Sequence, residues 1–154
     1  MTMKPILYLD LDETILYKGM PVHNSKAFFF WCTEHFEVRW LTNWIYDGTM
    51  NDYQAKVLSK RFNDTISMRE FQKYNNPKGH GDSKLDGIDL TTDQPWVWVE
   101  NVLQGHEWDA LKKLNLLHHY YLTDLTLDDP HAIDNAIEKT WRRLDDYLAE
   151  QVTP

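Results

Sequence analysis

The chain has 154 residues, of which 42% are hydrophobic and 14% aromatic, so it can bury a sizeable core and is not expected to be disordered. Its formal net charge of −8 at pH 7 argues against a general affinity for nucleic acids, which depends on Lys and Arg neutralising phosphates. The single cysteine (Cys32) excludes an intramolecular disulfide. The sequence contains no signal-peptide core and no apolar run long enough to cross a bilayer. We therefore expect one cytoplasmic domain over residues 1–154, with no membrane partner.

Short apolar runs that favour β-structure recur along the chain. They predict strands that end at Asp10, at Thr42, at Glu100 and near Thr123. The sequence "TISM" at 65–68 predicts a further strand, the weakest of the set. The region 63–93 is the least regular, because it concentrates Asn, Pro, Gly and Asp, the residues of turns and loops.

Helix-like segments alternate with these runs and are expected at about 25–35, 51–62 and 106–114, and after residue 129. The first helix has a possible cap at Asn24 or Ser25, and the second has one at Asn51. The last helix begins with Asp129 as its N-cap and with Pro130 at the first helical position, where a missing N–H costs nothing. Strands that alternate with helices indicate βαβ units. We therefore predict an α/β fold, a three-layer Rossmann-like sandwich around a central, mostly parallel sheet of about five strands.

Polar residues follow three of the predicted strands, and a lysine lies in the loop before the third. In open α/β sheets, ligands bind beyond the carboxyl ends of the strands. Carboxylates that converge there repel one another unless a hard cation lies among them, and Mg²⁺ prefers oxygen ligands. A hydroxyl, an amide and an ammonium beside them could hold phosphate oxygens. The residues concerned are Asp10, Asp12, Thr42, Asn43, Lys84, Glu100 and Asn101.

At these positions the sequence resembles the haloacid dehalogenase (HAD) superfamily of phosphohydrolases. "DLDET" matches the DxDxT signature directly after the first strand, and "VRWLTNW" looks like the second motif, a strand that ends in Ser or Thr. Lys84 in "DSKLDGI" looks like the lysine of the third motif, and "PWVWVEN" looks like the acidic fourth motif. The resemblance covers nearly the whole chain. The chain is particularly similar to small capless HAD domains, including some attached to RNA-repair proteins.

The resemblance implies Asp10 as the nucleophile that forms an aspartyl-phosphate, and Asp12 as the general acid and base. The side chain of Asp10, the backbone carbonyl of Asp12 and Glu100 would hold Mg²⁺. Thr14 would support the turn after the first strand. The fourth motif usually carries a pair of Asp, and here it is Glu100 followed by Asn101. Asn101 could bind the metal only through its neutral carbonyl, so the affinity for Mg²⁺ is the property in question.

The resemblance also implies a phosphate-binding group. Thr42, Asn43 and Lys84 would hold the oxygens of the phosphoryl group during its transfer. Catalysis of phosphoryl transfer depends mostly on positioning and on charge stabilisation. Lys73 and Lys78 are rivals of Lys84 for the lysine role. We prefer Lys84 because it opens a helix-like segment just before the third strand.

Neither the segment after the first motif nor residues 63–83 has room for a cap domain, so we expect an open site. The leading hypothesis is a Mg²⁺-dependent phosphomonoester phosphatase, whose substrate is a small phosphorylated molecule or an exposed phosphate on a larger one. A second hypothesis is a HAD-like module that binds phosphate or a partner with little or no turnover. A third is a phosphatase for nucleic-acid 3′-phosphate ends. The sequence does not specify an oligomeric state.

Overall fold

The computed structural model describes residues 3–123 and 130–152. In chain order its strands are β1 (Ile6–Leu9), β2 (Leu16–Tyr17), β3 (Met20–Pro21), β4 (Glu37–Trp40), β5 (Trp96–Glu100) and β6 (Tyr120–Leu122). Its α-helices are α1 (Ser25–His35), α2 (Asp52–Arg61), α3 (Met68–Phe71), α4 (Gly105–Lys113) and α5 (Pro130–Val152). Two 3₁₀ turns, Lys84–Gly87 and Leu117–His119, precede β5 and β6.

The main sheet is parallel and has four strands in the order β4-β1-β5-β6, while β2 and β3 form a separate antiparallel hairpin. In its register, Leu9 of β1 lies beside Trp40 on one side and Val99 on the other. The chain runs from β1 to β4 and then crosses to β5 on the opposite side of β1. The strand order therefore reverses beside β1, and ligands bind at the carboxyl ends of the strands that border such a reversal.

Helices flank the sheet, because both of its faces are apolar. Leu7 and Leu9 belong to the larger core cluster, which α1, α2 and α5 complete. Tyr8 and Trp98 point to the other face and pack with Leu111 of α4. Strands that are buried on both faces are typical of parallel sheets. The predicted α/β class is confirmed, and the layout is compatible with a Rossmann-like arrangement.

The helix predictions agree closely with the structure. Helix α1 covers 25–35, with Asn24 rather than Ser25 as its N-cap residue, in a left-handed conformation. Helix α2 is capped by Asn51, whose side chain accepts a hydrogen bond from the backbone of Gln54 at 2.8 Å. The described part of helix α5 starts at Pro130, and its predicted cap, Asp129, lies outside the described residues.

The predicted strand at 65–68 is wrong, and among the described residues the sheet has four strands rather than about five. Ile66 is buried but lies in a bend, where its carbonyl accepts a hydrogen bond from Ser59 Oγ at 2.6 Å. Ser67 then caps α3 by accepting a hydrogen bond from the backbone of Glu70 at 3.1 Å. The apolar residue thus serves the core from a loop, which periodicity cannot distinguish from a short strand.

The segments between β1 and β4 and between β4 and β5 contain short elements only. The first holds the β2–β3 hairpin and α1, and the second holds α2, α3 and the Lys84–Gly87 turn. Within residues 3–123 and 130–152, none of the helices combines the length and hydrophobicity that crossing a membrane requires.

Candidate active site

The ends of β1 and β5 bring two acidic residues together. Asp10 directly follows β1, and its backbone N–H donates to the carbonyl of Val99 in β5 at 3.3 Å. Glu100 is the last residue of β5. Both carboxyl groups are almost fully buried, with exposed fractions of 3% for Asp10 and 2% for Glu100. Buried carboxylates are costly unless charged or hydrogen-bonding partners surround them, so their neighbours define what the site can do.

A tight turn after β1 fixes the first of these acids. The carbonyl of Leu11 accepts hydrogen bonds from the backbones of Thr14, Ile15 and Leu16 at 3.3, 3.1 and 3.0 Å. Leu11 and Ile15 are completely buried, so they anchor the turn in the core. Thr14 is buried as well, and its hydroxyl donates to Asp10 Oδ2 at 3.4 Å. Thr14 therefore holds both the turn and the acid, as the predicted supporting role requires.

Lys84 joins the two acids. Its Nζ lies 3.2 Å from Asp10 Oδ1 and 2.5 Å from Glu100 Oε2. The lysine stands at the start of its 3₁₀ turn, where Ser83 caps the turn by accepting a hydrogen bond from Leu85 N–H. The rival lysines lie elsewhere, since Lys73 pairs with Glu70 and Lys78 Nζ lies 3.5 Å from the carbonyl oxygen of Ile88. Neither rival lines the cavity at Asp10.

Burial and mutual charge control the protonation of this group. Burial raises the pKa of the Glu100 carboxyl strongly, the neighbouring Asp10 raises it further, and Lys84 opposes the shift only in part. Burial alone would lower the pKa of Lys84, but the two carboxylates outweigh burial and raise it. Lys84 therefore stays cationic at neutral pH, whereas Glu100 tends to keep a proton unless a further cation comes close.

A cavity of about 330 Å³ opens above these residues. Six of its lining residues are acidic and one, Lys84, carries a positive charge. Such a lining repels a phosphate dianion and attracts cations, so phosphate binding here needs a cation in addition to Lys84. The lining residues are Asp10, Asp12, Glu13, Thr42, Asn43, Tyr46, Asp82, Lys84, Glu100, Asn101, Val102, Gln104 and Glu107.

Asp12 lines the mouth of this cavity and is exposed. Its Oδ2 accepts a hydrogen bond from the indole Nε1–H of Trp44 at 2.8 Å. Trp44 follows Asn43 in the chain but does not line the cavity. Trp44 instead contacts Asp12 and thereby fixes the orientation of its carboxylate.

Thr42 and Asn43 follow β4 and lie on the side of Asp10 away from Glu100, because β1 lies between β4 and β5. Thr42 is buried, and its hydroxyl accepts a hydrogen bond from the backbone of Trp44 at 3.3 Å. Asn43 is exposed at the cavity wall. All the residues predicted from the strand ends, including Asn101, thus line one cavity. Thr14 supports it from below.

Six residues of the cavity lining are not among those predicted from the strand ends: Glu13, Tyr46, Asp82, Val102, Gln104 and Glu107. Tyr46 and Asp82 contribute from loops, while Glu107 lies in the first turn of α4, buried, and accepts a hydrogen bond from the backbone of Gln104 at 3.0 Å. His80 is buried, and its Nε2 lies 2.8 Å from the carbonyl oxygen of Thr42. His80 and Asp82 belong to the sequence "HGD", whose Gly-Asp pair is typical of a turn.

The donor set fits a Mg²⁺ ion of the kind that takes few protein ligands. Asp10 and Glu100 offer carboxylates, and Asn101 offers a neutral carbonyl in the same cavity. Among the residues that the structure describes, no three His, Cys, Asp or Glu side chains are grouped to hold a metal. Mg²⁺ commonly keeps several waters and uses one or two carboxylates together with substrate phosphate.

Comparisons of the chain with protein-family models, with curated proteins and with solved structures found no match. The buried Asp10–Lys84–Glu100 group and the acidic cavity above it are therefore the features that indicate a function.

Proposed function

We propose that this chain is a Mg²⁺-dependent phosphomonoester phosphatase of the HAD type, on a three-layer Rossmann-like fold without a cap. The observation that carries the proposal is the contact of Lys84 with both Asp10 and Glu100, at 3.2 and 2.5 Å. These residues come from three distant parts of the chain. A buried carboxylate that is accessible from a cavity and held by an ammonium is well suited to act as a nucleophile.

Asp10 and Asp12 divide the chemistry between them. In the first step, a carboxylate oxygen of Asp10 attacks the phosphorus atom, the ester P–O bond breaks, and the leaving oxygen takes a proton from Asp12. In the second step, a water molecule gives a proton to Asp12 and attacks the phosphorus. The bond between phosphorus and Asp10 then breaks, and inorganic phosphate is released.

The other residues would bind the phosphoryl group and the metal ion. Lys84 and Thr42, with Asn43 at the wall, would bind the oxygens of the phosphoryl group. Asp10, the backbone carbonyl of Asp12 and Glu100 would hold the metal, with Asn101 beside them. When bound, Mg²⁺ would offset the repulsion between the acidic lining and the phosphate. The six acidic lining residues make this contribution necessary, since one lysine cannot balance them.

The two alternative hypotheses predict different behaviour. A binding module with no turnover would not need the exposed Asp12 carboxylate, which Trp44 holds at the cavity mouth. A phosphatase for nucleic-acid ends would need basic residues beside the cavity, whereas the lining offers Lys84 alone. Both observations favour a phosphatase for compact phosphomonoesters.

The experiment measures hydrolysis of 4-nitrophenyl phosphate with Mg²⁺ and with EDTA, for the wild type and for Asp10→Asn. We expect turnover with Mg²⁺ only, and a loss of about 10³-fold or more in Asp10→Asn because the nucleophile is gone. Asp134→Asn, an exposed acid on α5, is the matched control and should keep full activity. Equal rates in Asp10→Asn and the wild type would refute the mechanism. Absence of turnover in the wild type, with a panel of phosphomonoesters, would favour the binding module.

A further inference from the structure

An aromatic side chain stands at the mouth of the cavity. Tyr46 lines the cavity, and 59% of its surface is exposed. Isolated exposed aromatic residues are common on protein surfaces and need no explanation. Tyr46 differs from them in two respects, which are its position beside the reacting groups and the way in which its ring is supported.

The support comes from His80. The two rings lie 5.1 Å apart between centroids, and the backbone N–H of His80 donates to the carbonyl of Tyr46 at 2.7 Å. His80 is itself buried and fixed, since its Nε2 lies 2.8 Å from the carbonyl oxygen of Thr42 and its Nδ1 lies 3.0 Å from that of Gly81. One side of the Tyr46 ring thus packs against the rigid ring of His80. The rest of its surface faces the solvent and the cavity. A ring held in advance costs little entropy when a ligand stacks on it.

Strand order places a second apolar surface across the cavity. Tyr46 belongs to the loop after β4, and Val102 to the segment after β5, and β1 with Asp10 lies between those two strands. Val102 also lines the cavity and is 58% exposed. A phosphate held at Asp10 would therefore leave its alcohol group between two apolar side chains at the mouth.

We propose that Tyr46 is a specificity-determining residue and that the substrates are phosphate monoesters whose alcohol carries an aromatic ring. This inference rests on the proposed function, because it places the phosphate at Asp10. An aromatic leaving group gains from stacking on Tyr46 in addition to apolar contact with Val102. An alcohol that carries a further negative charge would be repelled by the acidic lining.

The experiment compares two substrates of the same size, benzyl phosphate and cyclohexylmethyl phosphate, which differ in whether the ring is aromatic. For the wild type, kcat/KM should favour benzyl phosphate by about 3- to 10-fold, the range expected for one aromatic contact. Tyr46→Leu should reduce the preference to near unity, and Tyr46→Phe should keep it. Tyr53→Leu, a 76% exposed aromatic residue of α2 outside the cavity lining, is the control and should keep it as well. A preference that is absent in the wild type, or unchanged in Tyr46→Leu, would overturn the proposal.

A binding measurement separates this inference from the proposed function. Calorimetry with the wild type and Tyr46→Leu, Mg²⁺ and the matched benzyl- and cyclohexylmethylphosphonates needs no turnover, because a phosphonate is not hydrolysed. Tighter binding of the benzyl compound that depends on Tyr46 would support the inference even if no substrate were hydrolysed, and equal binding of both would overturn it.

Discussion

Lys84 supplies the positive charge in the buried group that it forms with Asp10 and Glu100. It lies against Asp10 and Glu100, both buried, so one ammonium faces two carboxyl groups that are largely shielded from water. Attraction and repulsion between charges are much stronger there than in water. Burial, and then the neighbouring Asp10, raise the pKa of Glu100, and the single ammonium of Lys84 does not offset them. The group is therefore arranged to accept a further cation.

Trp44 permits a test of Asp12 that leaves both proposed catalytic acids in place. Its indole N–H donates to Asp12 Oδ2 at 2.8 Å, so Trp44→Phe keeps the ring and removes the hydrogen bond. We expect kcat/KM for an alkyl phosphate to fall about 10-fold, because a misdirected Asp12 transfers its proton less efficiently. The loss for 4-nitrophenyl phosphate should be much smaller, since its leaving group needs no proton. Steady-state kinetics on both substrates measure the difference.

The control for this test is Trp108→Phe, an exposed tryptophan of α4 that does not line the cavity. It should leave both rates unchanged. If Trp44→Phe lowered the rates for the two substrates equally, Trp44 would have a structural role and would not position Asp12 for proton transfer.

Among the elements, the loops that follow β4 are held together by close backbone contacts. Gly48 has a φ of +85°, and an added Cβ would lie 1.8 Å from the carbonyl oxygen of Asn76. Asn76 is buried, and its side chain donates to the carbonyls of Trp40 and Gly87 at 3.2 and 2.9 Å. These contacts tie the end of β4 to the turn that carries Lys84. The position of the lysine thus depends on a glycine far away in the sequence.

Gly48→Ala should accordingly destabilise the fold. The left-handed backbone and the contact with Asn76 leave no place for a methyl group, so we expect the free energy of unfolding to fall by about 3 kcal/mol. For a chain of this length that corresponds to a decrease in Tm of about 6–12 °C. Gly105→Ala is the matched control, because a Cβ there meets nothing within 4 Å, and its Tm should stay within about 2 °C of the wild type. Thermal unfolding followed by circular dichroism measures both, and equal Tm values for the two variants would contradict this interpretation.

An element could be predicted from the sequence where the residues that determine it lie within a few positions of one another. Asn51 caps α2 as predicted, since a cap acts within a few residues. The strand predicted at 65–68 failed because Ile66 contacts the core from a bend, which only tertiary packing determines. The strand-end residues could be predicted to meet because parallel strands end at one edge of the sheet. Tyr46 could not, because its place at the cavity depends on the ring of His80 and on loop closure.

At the scale of the whole molecule, negative charge is both general and local. The chain carries a formal net charge of −8, and six acidic residues line one cavity of about 330 Å³. Salt of any kind screens the charge that is spread over the chain. Binding of a cation between specific carboxylates depends on which ion is present. Stability measured with different ions can therefore distinguish a bound metal from screening.

Mg²⁺ should raise the Tm of the wild type, because an ion that binds only the folded chain stabilises it. At a concentration ten times its Kd, the gain is about 1.4 kcal/mol, or roughly 3–6 °C at this chain length. Glu100→Gln should abolish most of that rise, since Glu100 offers one of the two buried carboxylates. Glu34→Gln, an acid outside the cavity, should keep it. Scans in Mg²⁺, in EDTA and in Na⁺ of equal ionic strength measure the effect. A rise that is as large in Glu100→Gln as in the wild type, or as large in Na⁺ as in Mg²⁺, would mean that the acids are screened collectively and that Glu100 holds no metal.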